Sequence, residues 1–87
     1  MIDLRDHDLE LSYPCTWVYK VIGRSEEAVR EAIRDVLQER ERKVRVSRKS
    51  ASGRYCCLNV ELTVHDAIDR VEIYNALSSH PLTKIVL

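Results

Sequence analysis

The sequence predicts an α+β sandwich of four antiparallel strands with two helices on one face, and three observations carry that prediction. Residues 15–23 and 55–64 alternate apolar and polar side chains with the period of two that marks strands with one buried face. Residues 26–37 instead place Ala28, Val29, Ala32, Ile33, Val36 and Leu37 at three-four spacing, as an amphipathic helix does. Gly23, the Ser-Ala-Ser-Gly run at 50–53 and Pro81 fall where elements must end.

The first strand, "CTWVYKVIG" at Cys15 to Gly23, follows Pro14 and is rich in aromatic and β-branched residues. Its alternation sends Trp17, Tyr19 and Val21 to one side and Thr16, Val18, Lys20 and Ile22 to the other. Ser25 is the natural N-cap of the first helix, with Glu26 and Glu27 in the first turn, where the helix dipole favours carboxylates. "KVRVSRKS" reads as a short edge strand with Val44 and Val46 on its buried face. After the turn, "RYCCLNVELTV" puts Cys56, Leu58, Val60, Leu62 and Val64 inward and Tyr55, Cys57, Asn59, Glu61 and Thr63 outward. Asp66 caps a second helix reaching about Ser79, with Ile68, Val71, Tyr74 or Asn75, and Leu77 on its expected inner side. "LTKIVL" closes the chain as the last strand.

Two helical crossovers joined by one hairpin make the split βαβ, or ferredoxin-like, βαββαβ arrangement. Right-handed crossovers then order the antiparallel sheet 4-1-3-2, with both helices on one face and the other face open. Residues 1–12 are expected to form an N-terminal arm and 13–87 a single domain. The outward Val18, Ile22 and Tyr55 make the open face less polar than a merely wetted one, so a cover is expected. The occupants to weigh are the arm with Leu9, Leu11 and Tyr13, a second copy, and a partner.

Composition narrows the function classes. The chain has 87 residues, 45% hydrophobic and 32% charged, as soluble domains do, and no apolar run approaches the ~20 residues of a membrane helix. The N-terminus lacks the basic start and apolar core of a secretion signal, so a cytoplasmic location is the expectation. Net charge is zero, which argues against a dedicated nucleic-acid or membrane binder. The charges are unevenly spread: Asp3, Asp6, Asp8 and Glu10 make the arm acidic, while Arg40, Arg42, Lys43, Arg45, Arg48, Lys49 and Arg54 gather in one stretch.

The chemical constellations are thin. Cys56 and Cys57 are adjacent in a strand and leave opposite faces, and Cys15 is placed at the far end of the neighbouring strand, so the cysteines share no metal site. His65 and His80 flank the second helix, roughly 20 Å apart. The expectations are no metal, no cofactor and no disulfide, with Cys56 a core residue and Cys57 an exposed thiol. RNA-recognition motifs share this element order, but here Arg54 and Cys56 stand where their two stacking aromatics belong, and Tyr55 alone could stack. No Gly-rich phosphate loop and no catalytic triad is legible, so the chain is not expected to be an enzyme. Arg24 in "GRS", at the first helix N-terminus, is an anion contact of low specificity.

"YPCTWVYKVIG", then Ser50, Gly53 and Tyr55, then "IYNAL" at Ile73 to Leu77 and the ending "IVL" together resemble the YbeD-like family of small bacterial proteins. The resemblance spans about residues 13–87 and implies a ferredoxin-like sandwich similar to ACT-type regulatory domains. It implies no catalytic residues, and through the family's usual name it suggests a link to lipoate metabolism. Most matched positions have structural explanations, but Lys20 sits mid-strand on the open face. The resulting expectation is a non-enzymatic regulatory or interaction module that uses Lys20, Tyr55, Cys57 and Asn59 for a protein partner, self-association or a small ligand. The alternative is weak nucleic-acid binding through the basic hairpin Arg40 to Arg54, with Arg24, Arg45, Arg48, Lys49 and Arg54 as contacts.

Overall fold

In the computed structural model, which describes residues 12–87, the chain forms β1 (Cys15–Gly23), α1 (Glu26–Leu37), β2 (Lys43–Lys49), β3 (Cys56–Val64), α2 (Ala67–Ser79) and β4 (Thr83–Val86). The strands make one antiparallel sheet in the order β2-β3-β1-β4, which is 4-1-3-2 read from the other edge. The predicted fold is therefore the observed one. The arm residues to 11, with His7, Leu9 and Leu11, lie outside the described residues.

The core forms where the inward residues of β1 and β3 meet the helices. Tyr19, Val21, Leu58, Val60 and Val64 from the sheet pack with Val29, Ile33 and Leu37 of α1 and Ile73 and Leu77 of α2. Burying side chains of this size stabilises by about 1.5–3 kcal/mol each. Ser25 caps α1 by accepting from the Ala28 amide at 3.1 Å, and Asp66 caps α2 by accepting from the Asp69 amide at 2.7 Å.

Two expectations are corrected. In α2 the residues that face the sheet are Ile73 and Leu77, while Ile68, Val71, Tyr74 and Asn75 are exposed, Ile68 by 68%. The helix is apolar on two sides, and spacing alone cannot choose between them. Its roll is set at its N-terminal end, where Asp69 and Arg70 turn toward the sheet. Val46 is also exposed, because β2 is an edge strand with a bulge between Val46 and Arg48. That bulge reverses the alternation: Arg48 faces Cys57, and Lys49 comes to the helix side, where its Nζ lies 3.2 Å from Glu26 Oε1.

The start of α2 is tied to the sheet by a polar network that the sequence did not advertise. Asp69 takes both terminal nitrogens of Arg40, with Nη1 to Oδ1 at 2.9 Å, and its Oδ2 also accepts from the His65 amide at 2.8 Å. Arg40 donates further to the Thr63 carbonyl at 2.8 Å. The Arg40 guanidinium, above all by hydrogen bonding, holds the Asp69 carboxyl down at about 2. Nearby, Tyr19 donates to the Arg70 carbonyl at 2.7 Å, and burial pushes its phenol up to about 12. The Arg70 guanidinium stacks 4.7 Å from the centre of the Trp17 ring and donates to the Tyr13 hydroxyl at 3.2 Å.

Candidate functional site

No helix of the described residues is long and apolar enough to cross a membrane, and among them no group of three His, Cys, Asp or Glu side chains converges as metal ligands would. The three cysteines are free; Cys15 pairs across from Val64 while Cys56 pairs across from Gly23, so they occupy opposite ends of the β1–β3 ladder. Burial, first of all, pushes the Cys56 thiol up, away from the thiolate that chemistry would need.

The open face of the sheet follows directly from the register. Lys20 lies opposite Asn59 and Ile22 opposite Cys57, so three of the four predicted face residues meet there. Cys57 is half-buried, not the exposed thiol expected. Tyr55 precedes β3 and sits beyond the Gly23–Cys56 pair, at the end of the face. Asn59 Oδ1 is shut off from solvent with no hydrogen-bond partner among the described residues.

Two halves of this face differ in chemistry. On the β1–β4 half, Ile22 pairs with Ile85, and Leu87 exchanges both backbone hydrogen bonds with Lys20 at 2.8 and 3.0 Å, which aligns their side chains. Val18, Ile85 and Leu87 are 47%, 52% and 68% exposed there, beside the partly covered Ile22. On the β2–β3 half, Lys43, Arg45 and Arg48 face Glu61, Asn59 and Cys57 in turn. A hollow on this face, between Val18, Lys43, Arg45, Asn59 and Glu61, holds about 80 Å³. Pockets for small ligands are typically ~300 Å³ or more.

The basic residues foreseen as one nucleic-acid contact are divided among three surfaces. Arg45 and Arg48 are on the open face, Lys49 pairs with Glu26 on the helix side, and Arg24 and Arg54 meet at a corner. Arg40 and Arg42 are engaged elsewhere, Arg40 with Asp69 and Arg42 with the Gln38 and Arg40 carbonyls. They border a hollow of about 440 Å³ lined by both charge signs.

At the corner, Arg24, Gly53, Arg54, Tyr55 and Lys84 line one hollow of about 390 Å³. Three segments converge to build it. Ser50 Oγ accepts from the amides of Arg54 and Tyr55 at 2.9 and 3.1 Å, and Gly53 turns the chain at φ 76°, a value that favours glycine. The turn before β4 is fixed by His80, whose Nδ1 accepts from the Leu82 amide at 3.0 Å while Nε2 meets Asp35 at 2.8 Å. Gly23 lets that turn close on β1 and α1: a methyl group there would lie 2.7 Å from Val29 Cγ2 and 2.8 Å from the Leu82 carbonyl oxygen. Lys84 was not among the residues singled out in the sequence, because only the β1–β4 pairing brings it beside Arg24.

A family model described as "Protein of unknown function (DUF493)" matches residues 8–87. An uncharacterised protein of Campylobacter jejuni is 32% identical over 81 residues, covering 91% of this chain and 93% of its own. A UPF0250 protein of Neisseria gonorrhoeae is 33% identical, with 88% and 89% covered. The solution structure of protein HP0495 from Helicobacter pylori superposes with a TM-score of 0.74 at 24% identity, covering 88% of this chain and 85% of that one, a likeness of fold.

Proposed function

The chain belongs to the DUF493 family of proteins of unknown function, and from that premise we propose that it is a non-enzymatic interaction module whose open sheet face holds a protein partner bearing acidic and apolar side chains. The observation that supports this most is the composition of the face: exposed Val18, Ile85 and Leu87 share it with Lys20, Lys43, Arg45 and Arg48, with Glu61 the one carboxylate side chain among these described residues. An apolar half beside a half of mostly one charge sign suits a partner that brings apolar side chains and the opposite charge. A second copy of the same face would set like charges against each other, and an 80 Å³ hollow offers little to a small molecule. In this reading residues 13–87 are the working unit, it acts in the cytoplasm without a cofactor, and its role is regulatory, a part of the reading that rests on the resemblance to ACT-type domains. Proteins of lipoate metabolism are then the first partners to test. Nucleic-acid binding has no comparable support, since its contacts are split over three surfaces.

The test is capture from native extract on three immobilised proteins: wild type, a Val18→Glu/Lys20→Glu double variant, and Val71→Glu on the outer side of α2. An acidic protein held by wild type and Val71→Glu but reduced at least about tenfold by the double variant is the expected result. Equal capture by all three overturns the proposal. So does a concentration-dependent dimer of the wild type that the double variant abolishes, which would assign the face to self-association.

A further inference from the structure

We propose that the corner between α1, the β2–β3 hairpin and β4 is a binding site for the phosphate group of a small molecule, separate from the open sheet face. Arg24, Arg54 and Lys84 come from three different segments of the chain and line one hollow with Tyr55. All three cations are exposed, and among the described residues none of them forms an ion pair with a carboxylate. Two other arginines are engaged, Arg40 by Asp69 and Arg42 by two carbonyls, whereas Arg45 and Arg48 of the open face are, like the corner cations, without a carboxylate partner among the described residues. Three like charges brought together with no carboxylate paired to them among the described residues repel one another, and a dianion placed between them relieves that repulsion.

A second observation points the same way. Arg24 and Lys84 also line an adjoining hollow of about 370 Å³ whose wall includes Thr83, and the Thr83 hydroxyl is shut off from solvent without a hydrogen-bond partner among the described residues. A polar group left in that state is costly unless something satisfies it. The two hollows share Arg24 and Lys84, so a phosphate held between those two side chains leaves room on either side for the rest of a small ester. Tyr55 offers that remainder a ring, and it is 52% exposed.

The chemistry favours phosphate over a carboxylate, because a single carboxylate charge answers one guanidinium and leaves two cations opposed. It favours a small ester over a nucleic-acid backbone, because the other basic residues of the hairpin point onto different surfaces. Arg45 and Arg48 project from the open face, and Lys49 is paired with Glu26.

The experiment is a titration of the isotope-labelled full chain, followed by amide resonances at constant ionic strength. The probes are inorganic phosphate, pyrophosphate and a short single-stranded oligothymidylate. The expected result is a saturating shift confined to residues around Arg24, Arg54, Tyr55 and Thr83, with pyrophosphate binding more tightly than phosphate. Arg24→Gln with Arg54→Gln should weaken it by about tenfold or more, whereas Arg45→Gln with Arg48→Gln should change it by less than about twofold. Lys84→Gln alone serves as an independent reading should the double variant fold poorly. No saturable shift, equal losses in the two double variants, or tighter binding of the oligonucleotide with shifts along β2 would each overturn the proposal. Partner capture through Val18 and Lys20 is unaffected by any of these outcomes, so the two readings fail separately.

Discussion

Replacing Gly23 with alanine is expected to lower the melting temperature by roughly 10–20 °C, corresponding to about 2–3 kcal/mol in a domain of this size. The cause is steric. The new methyl group would meet Val29 Cγ2 at 2.7 Å and the Leu82 carbonyl oxygen at 2.8 Å, closer than such contacts are found. Val29 is fully buried and cannot swing away, and the Leu82 oxygen belongs to the backbone of the turn before β4. The chain can relax only by parting that turn from α1, which also separates Arg24 from Lys84. Phosphate binding at the corner should therefore weaken with stability. Gly53 supplies the control: an added methyl group there meets nothing within 4 Å, so Gly53→Ala bears only the strain of its positive φ, about 1 kcal/mol. Thermal melts of both variants check this, and equal losses would remove the close-approach argument.

Substituting Asp69 with asparagine is expected to cost about 2–3 kcal/mol near neutral pH, because Arg40 is left half-covered without its counter-charge while the shape is preserved. The effect has a distinctive pH dependence. The wild-type carboxyl is held at about 2, below its ordinary value of 3.8, so the folded protein binds its proton less readily than the unfolded chain does. That contribution is fully present above the unfolded value and is lost as pH falls from about 4 to about 2. The gap between the two proteins should thus close over that window, since other carboxylates titrate in both alike. Denaturant midpoints near pH 7 and near pH 2 measure it. A gap that stays constant would mean that shape, and not charge, accounts for the loss.

β1, β3 and α1 were legible because each carries one unambiguous period, and the caps Ser25 and Asp66 stand where their side chains act. What escaped had three causes. Alpha-helix α2 bears apolar residues on opposite sides, Ile73 and Leu77 on one and Ile68 and Val71 on the other, and a period cannot say which is buried. The spacing Asp66-x-x-Asp69 held the missing signal, since a second acidic residue at that position commonly reaches back to the preceding amides, as Asp69 does to His65. The placement of the basic stretch was hidden for a different reason: the bulge after Val46 turns Lys49 to the helix side and Arg48 to the open face, and no residue type there announces it. The corner of Arg24, Arg54 and Lys84 depends on pairing between distant strands, which spacing along the chain does not encode.

The central claim is that the open sheet face is the working surface, and resonance mapping with the captured partner tests it most directly. Adding that partner to the labelled domain should shift or broaden the signals of Val18, Lys20, Asn59 and Ile85 while those of Ile68, Val71 and Tyr74 stay in place. Changes confined to the outer side of α2, with the sheet face silent, would contradict it.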